Sequence, residues 1–263
     1  NKSMVNTNKY KTTHLVPYIY EKYRPKSMPE NYQMLIDAYV AMADAMVRSS
    51  NFGLYIVDVC RGACIYASDN IENFCGVKPE DMFDSWWIAL EKNIPKKGLQ
   101  TIQEARLATC EFFNKLSAED KLKYTCLQGF AFCYKKHSQV RIFRSTPLAL
   151  SSDDKIWLVL CIVSLSNKGK VGEVIIRNTG NNDEEYVYCR ESKVWKKRPQ
   201  ITISQLDRDI LRQSLSGYSV KEIAEQLCLS PETIKAHKKN MFEEFGVSSI
   251  TEALAFADNH KLL

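Results

Sequence analysis

The pattern of apolar and polar positions changes character three times along the chain. Residues 1–26 are polar, with scattered tyrosines and no sustained period, and read as a lead-in arm. Ser27 and Glu30 then frame a capping box around Pro29, and Tyr32, Leu35, Ile36, Tyr39, Ala43, Met46 and Val47 form a broad helical stripe. From Phe52 the period turns to that of strands. GLYIVDV, a polar turn at Arg61-Gly62 and ACIYAS together predict a hairpin. A short helical stretch over residues 69–75 leads to a turn over residues 76–81, helical spacing returns over residues 99–116, and a second short helix is expected after Ser117. Residues 126–136, 140–150 and 156–165 are strand-like, and residues 172–177, 186–188 and 194–195 add two or three shorter strands joined by polar turns. Residues 196–200 are expected to be a linker.

Beyond residue 201 the period is helical throughout. Ser219 is placed to cap a helix, with Glu222 three residues on to close a capping box and Ile223, Ala224 and Leu227 as its apolar stripe. Cys228, Leu229 and Ser230 interrupt it. Ser230 followed by Pro231 starts the next helix, which Gly246 ends. Two helices separated by so short a turn have the spacing of a DNA-reading pair. At about 100° per residue, the second helix puts Ile234, His237, Met241 and Phe245 on one side and Glu232, Lys235, Ala236, Lys239 and Glu243 on the other. Lys235 and Lys239 are one turn apart with the small Ala236 between them, so the backbone can approach base edges while the ammonium groups reach guanine acceptors or phosphates. Lys238 and Asn240 flank that face, where phosphate contacts are expected. Thr233, Ser219 and Lys221, at the starts of the two helices, complete the expected DNA-contacting set.

Residues 203–257 resemble the four-helix DNA-binding domain of the LuxR (GerE) family of transcription regulators. The landmarks are Gly217, Lys221-Glu222-Ile223-Ala224, Leu229-Ser230, Thr233-Ile234-Lys235, His237, Gly246-Val247 and Glu252-Ala253. The resemblance implies that Lys235, Ala236 and Lys239 face the major groove. It also implies that the last helix, capped by Ser249 and Glu252, pairs two such domains through Ile250, Ala253, Leu254 and Ala257 as a homodimer on double-stranded DNA. Two departures stand out: Asp207 where the family usually has Glu, and Glu243-Glu244 where a basic residue is common, the second lowering the expected non-specific affinity. His237 is expected to be a packed, hydrogen-bonded histidine.

Residues 51–166, two strands, short helices and three antiparallel strands, resemble a PAS domain, with YASDNIENFCGVKPEDMF as the best local match. The expected fold class is therefore α+β: a PAS-like antiparallel sheet with flanking helices, followed by an all-α four-helix helix-turn-helix domain. The expected divisions are residues 1–50 (arm and helix), 51–166 (sensor or dimerisation domain), 167–200 (added β element and basic linker) and 201–263 (DNA-binding domain). Phe52, Tyr55, Phe74, Trp86, Trp87, Phe130, Phe132 and Trp157 are candidates to line a sensor pocket, with core packing the commoner use of such residues. The signal, a small molecule or a protein, is left open. Asp153-Asp154 could mark a phosphoacceptor pocket, but they sit in SSDDK without βαβ alternation, and a hairpin turn is the stronger reading.

Composition sharpens this picture only modestly. The net charge is +5 with 36 Lys or Arg. Residues 201–263 hold seven Lys or Arg against nine Asp or Glu, which favours selective binding over general coating of nucleic acid. Nine cysteines in odd number, with no CxxC pair and only four histidines, argue against a disulfide scaffold or a metal site and for a reducing, cytoplasmic setting. The longest apolar run, residues 156–163, is too short to cross a bilayer. No haem or flavin ligand stands out, and no cofactor is expected. A thiol enzyme pairing a cysteine with His137 is the rival of another class, and no Cys-His motif supports it. A ligand-free PAS-like interaction scaffold is the nearer rival. Residues 193–198 are expected to form a hinge whose positive charge touches phosphate in one arrangement and pairs with Asp183, Glu184 and Glu185 in the other.

Overall fold

A computed structural model of the chain describes residues 22–134, 137–165, 171–180, 184–199, 202–259 and 262–263. Two compact units, Asn1–Arg198 and Pro199–Leu263, divide it. Most of the expected N-terminal arm, Asp183 and Gln200 lie outside the described residues.

The first unit begins with α1 (Tyr32–Arg48), β1 (Gly53–Asp58) and β2 (Ala63–Ala67). Four helices follow: α2 (Ile71–Cys75), α3 (Pro79–Glu91), α4 (Lys96–Asn114) and α5 (Ala118–Lys121). Three long strands, β3 (Tyr124–Tyr134), β4 (His137–Leu150) and β5 (Ile156–Leu165), precede three short ones, β6 (Val174–Asn178), β7 (Glu185–Cys189) and β8 (Val194–Arg198). All eight lie in one antiparallel sheet of order β2-β1-β5-β4-β3-β6-β7-β8. The β1–β2 hairpin closes against β5. Because side chains alternate across a strand, β1 serves two cores. Leu54 and Ile56, with Leu158 and Leu160, pack with Ile36, Val40 and Ala43 of α1, whereas Tyr55 and Val57, with Cys161 and Val163, pack with α2, α3 and α4. Each fully buried aliphatic side chain contributes about 1.5–3 kcal/mol. Asn70 ties the helical side to the sheet: its Nδ2 donates to Phe52 O at 3.0 Å and its Oδ1 accepts from Ser68 Oγ at 2.7 Å.

Three expectations are corrected here. The Ser27–Glu30 capping box does not form; α1 starts at Tyr32, with Asn31 as an N-cap that makes no side-chain cap. The preceding backbone is held elsewhere, since Met28 O accepts from Ser152 Oγ at 3.1 Å and Lys26 N donates to Asp153 at 3.3 Å, so tertiary contacts override the local cap. Residues 79–91, whose first positions read as part of a turn, form helix α3, with Pro79 in the first turn and Glu80 and Asp81 beside the helix's positive end. Lys196, Lys197 and Arg198 are not linker but strand β8, paired with β7. Lys197 meets the Glu184 carboxylate, and Arg198 meets Glu185 and, at 3.0 Å, Glu173. Of the two expected uses of this basic run, pairing with the neighbouring acids is the one observed for Lys197 and Arg198. Asp153 and Asp154 lie between β4 and β5, where Asp153 accepts from Ser151 Oγ at 2.7 Å, as a turn residue does.

The second unit holds α6 (Gln205–Leu215), α7 (Val220–Gln226), α8 (Pro231–Phe245) and α9 (Ile250–Asn259). Ile210, Leu211, Ile223, Ala224, Ile234, Met241, Phe245, Ala253, Ala257 and Leu262 form its core. Phe245 stacks on Phe256 with ring centroids 4.5 Å apart.

Candidate nucleic-acid interface and sensor cavity

Local chemistry sets the position of α8. Ser219 and Glu222 form the full capping box of α7: Ser219 N donates to Glu222 Oε2 at 2.7 Å and Glu222 N to Ser219 Oγ at 3.4 Å. Hydrogen bonding from the Ser219 hydroxyl, and next from its backbone N–H, holds the Glu222 carboxyl below its usual range. The chain then turns through Cys228, a non-glycine residue at φ +54°. Ser230 Oγ accepts from Thr233 N at 3.1 Å, Pro231 occupies the first turn, and Gly246 closes α8 in the left-handed conformation at φ +64°.

Across α8 the two sides separate as the helical period requires. Ile234, Met241 and Phe245 are buried, while Lys235, Ala236, Lys239 and Asn240 are exposed. Thr233 and Lys238 are half-buried, and burial lowers the pKa of the Lys238 ammonium. Lys221 and Ser219 are exposed at the start of α7. Lys239 Nζ lies 3.9 Å from Glu243 Oε1 with both side chains largely exposed. Such an exposed pair contributes little and holds the ammonium loosely. His237 is half-buried, with Nδ1 2.7 Å from Asp207 Oδ1. A carboxylate only accepts, so Nδ1 carries the proton. Asp207 also accepts from Ser204 Oγ at 2.6 Å, so the residue that departs from the family pattern ties the N-cap residue of α6 to α8.

The expected pairing set on α9 is divided by the fold. Ala253 and Ala257 are each 0 % exposed and belong to the domain's own core, so they cannot meet a second copy. Ile250 and Leu254 are half-buried and remain available at the surface.

In the first unit a cavity of about 150 Å³ opens between the sheet and α4. Of the expected lining residues, Tyr55, Trp86 and Phe130 line it. Phe74, Trp87 and Phe132 are core beside it, whereas Phe52 and Trp157 pack on the opposite face of the sheet with α1. Sequence reasoning missed Arg106, Phe113, Gln128 and Phe143, which also line it. The signal was present on α4, where Arg106 falls in a stripe with Ile102, Thr109 and Phe113, a cation at an inward position.

The buried thiols are poor nucleophiles. Burial pushes the Cys110 thiol up to about 11 and the Cys126 thiol to about 12, and raises Cys64, Cys75 and Cys161 as well, which disfavours the reactive thiolate. His137 lies in β4, and its side chain is outside the described residues. Among the described residues no cluster of three or more His, Cys, Asp or Glu could hold a metal ion, and no helix is long and apolar enough to cross a membrane.

Residues 202–257 match the GerE family, bacterial regulatory proteins of the luxR family. The Fimbriae Z protein of Salmonella typhimurium is 48% identical over 61 residues, which cover 23% of this chain and 29% of that protein. The transcriptional activator protein BglJ of Escherichia coli is 42% identical over 69 residues, 26% of this chain and 31% of that protein. Each match thus spans about a third or less of the relative. Among solved structures, a phage VqmA–DPO complex aligns over 86% of this chain and 89% of its own, at 14% identity and a TM-score of 0.29. The Vibrio cholerae VqmA dimer aligns over 84% and 88%, at 14% identity and a TM-score of 0.30. With its capped helix pair, its exposed lysines on α8 and this match over residues 202–257, the C-terminal domain belongs to the luxR family of bacterial regulatory proteins.

Proposed function

We propose that this chain is a sequence-specific, DNA-binding transcription regulator that binds double-stranded DNA as a homodimer. The observation that carries the reading is the exposed face of α8, where Lys235, Ala236 and Lys239 stand clear of the domain core behind a helix start fixed by two capping residues. In this reading Lys235 and Lys239 reach base edges across Ala236, Asn240 and Lys238 touch phosphate, and Thr233, Ser219 and Lys221 offer polar groups to the backbone at the two helix starts. Ile250 and Leu254 supply the surface that pairs two domains over inverted half-sites. The PAS-like unit acts as a sensor, and its cavity supports ligand binding over a purely scaffolding role. A sensor of this kind changes DNA affinity only if its ligand favours one arrangement of the domains over another.

The test is to incubate the full chain with fragmented genomic DNA and sequence what it retains. Recovery of a shared motif with two inverted half-sites is expected. Retention of fragments without a common motif, or of none, contradicts the proposal.

A further inference from the structure

The cavity of the first unit holds a cation in an unusual setting. Arg106 lays its guanidinium over Trp87, with Cζ 3.0 Å from the ring centroid, and stands 5.6 Å from the ring of Trp86. Stacking occupies the face of a guanidinium and leaves its N–H groups, which lie in the plane, free to donate. Arg106 Nη1 is buried and has no hydrogen-bond partner among the described residues. A buried charged donor without an acceptor is costly, and native folds rarely keep one without a use.

The surroundings define what would satisfy it. Among the described residues no Asp or Glu lines the cavity, while Lys121 and Lys155 add positive potential. Lys121 Nζ donates to Asp154 O at 2.8 Å and Lys155 Nζ to Arg24 O at 3.2 Å, whereas Arg106 Nη1 has no partner among the described residues. The remaining wall is aromatic: Tyr55, Trp86, Phe130 and Phe143, the last two with ring centroids 5.2 Å apart. A volume of about 150 Å³ accommodates a single six-membered ring. A planar fork on one edge of such a space matches a carboxylate, which accepts two parallel N–H groups.

We propose that this cavity binds a small aromatic carboxylate, with its ring among Tyr55, Trp86, Phe130 and Phe143 and its carboxylate paired with the guanidinium of Arg106, which lines the same space. The proposal rests on the sensor reading given above and adds the chemical class of the signal. The positive lining selects against a neutral ring of the same shape, because a neutral carbonyl accepts a hydrogen bond but offers no charge to pair with the guanidinium and takes no bidentate contact.

Isothermal titration of the full chain with benzoate and with its neutral isostere benzamide tests this directly. Benzoate should bind saturably and at least about 10-fold more tightly than benzamide. Arg106→Gln should remove that preference, and Arg106→Lys, which keeps the charge but not the fork, should retain part of it. Circular dichroism of both variants guards against loss of the fold. If Arg106→Gln does not fold, the ratio in the parent and in Arg106→Lys still decides. Equal binding of benzoate and benzamide, or an unchanged preference in Arg106→Gln, overturns the carboxylate assignment and leaves the sensor reading standing. Binding of neither probe overturns the assignment and removes the support that the cavity lends to a sensor.

Discussion

His237 on α8 and Asp207 on α6 meet at 2.7 Å, Nδ1 to Oδ1, and this bond joins the second helix of the pair to the helix that begins the domain. Asp207 sits three residues after the N-cap Ser204, whose Oγ accepts from Asp207 N at 3.1 Å. A movement of α8 therefore strains a cap as well as a side-chain pair. His237→Ala should make the α8 amides easier to open by about 1–2 kcal/mol, the range for one charge-assisted bond at a partly exposed site. Hydrogen exchange resolved by peptide measures it, and unchanged protection of α8 would show that the apolar core alone fixes the helix.

The turn between α7 and α8 carries a second local strain. Cys228 holds φ +54°, where a Cβ crowds the following carbonyl. Cys228→Gly should stabilise the domain by about 0.5–1 kcal/mol, the relief of that crowding less the entropy that glycine loses on folding. Cys228→Val should lower stability, since a branched side chain tolerates this region least. Thermal melts of the full chain, followed by helical ellipticity, distinguish the two signs.

The division of α9 predicts opposite outcomes for residues one turn apart. Ala257 is fully buried, so Ala257→Glu should unfold the domain by burying an unpaired charge. Leu254→Glu, at a half-buried position from which a long side chain can reach water, should leave the fold intact and uncouple binding to two half-sites. Mobility shifts on one-site and two-site duplexes read the coupling. Cooperative binding by a folded Leu254→Glu variant would move the interface elsewhere, with α1 and its exposed Met34 the next surface to probe.

What could be read from the chain alone follows the range of the interactions involved. Ser219 with Glu222, and Ser230 with Pro231 and Gly246, declare their helices because every partner lies within one helix, so the α7–α8 pair was legible in full. The apolar, β-prone runs on either side of the Arg61-Gly62 turn likewise announce β1 and β2. The misreadings needed distant partners. Lys196, Lys197 and Arg198 resemble a solvated linker until Glu173, Glu184 and Glu185 are brought beside them. Arg106 is one polar residue on a stripe until β1, β3 and α3 enclose it. Ala253 and Ala257 belong to the same apolar stripe as Leu254, and only packing shows which of them the domain needs for itself. Pro79 with Glu80 and Asp81 was a local helix start, and α3 was missed although its signal was present.

The central claim is that α8 reads base pairs through Lys239. Affinity of the full chain, of Lys239→Ala and of Lys238→Ala should be measured on the selected operator and on a scrambled duplex across a salt series. Lys239 is 77% exposed on the side facing away from the core, whereas Lys238 is half-buried on the flank. Lys239→Ala should cost about 1–3 kcal/mol on the operator and much less on the scrambled duplex. Lys238→Ala should weaken both similarly and flatten the salt dependence. Equal losses for Lys239→Ala on the two duplexes, or none on the operator, would contradict base reading by this helix.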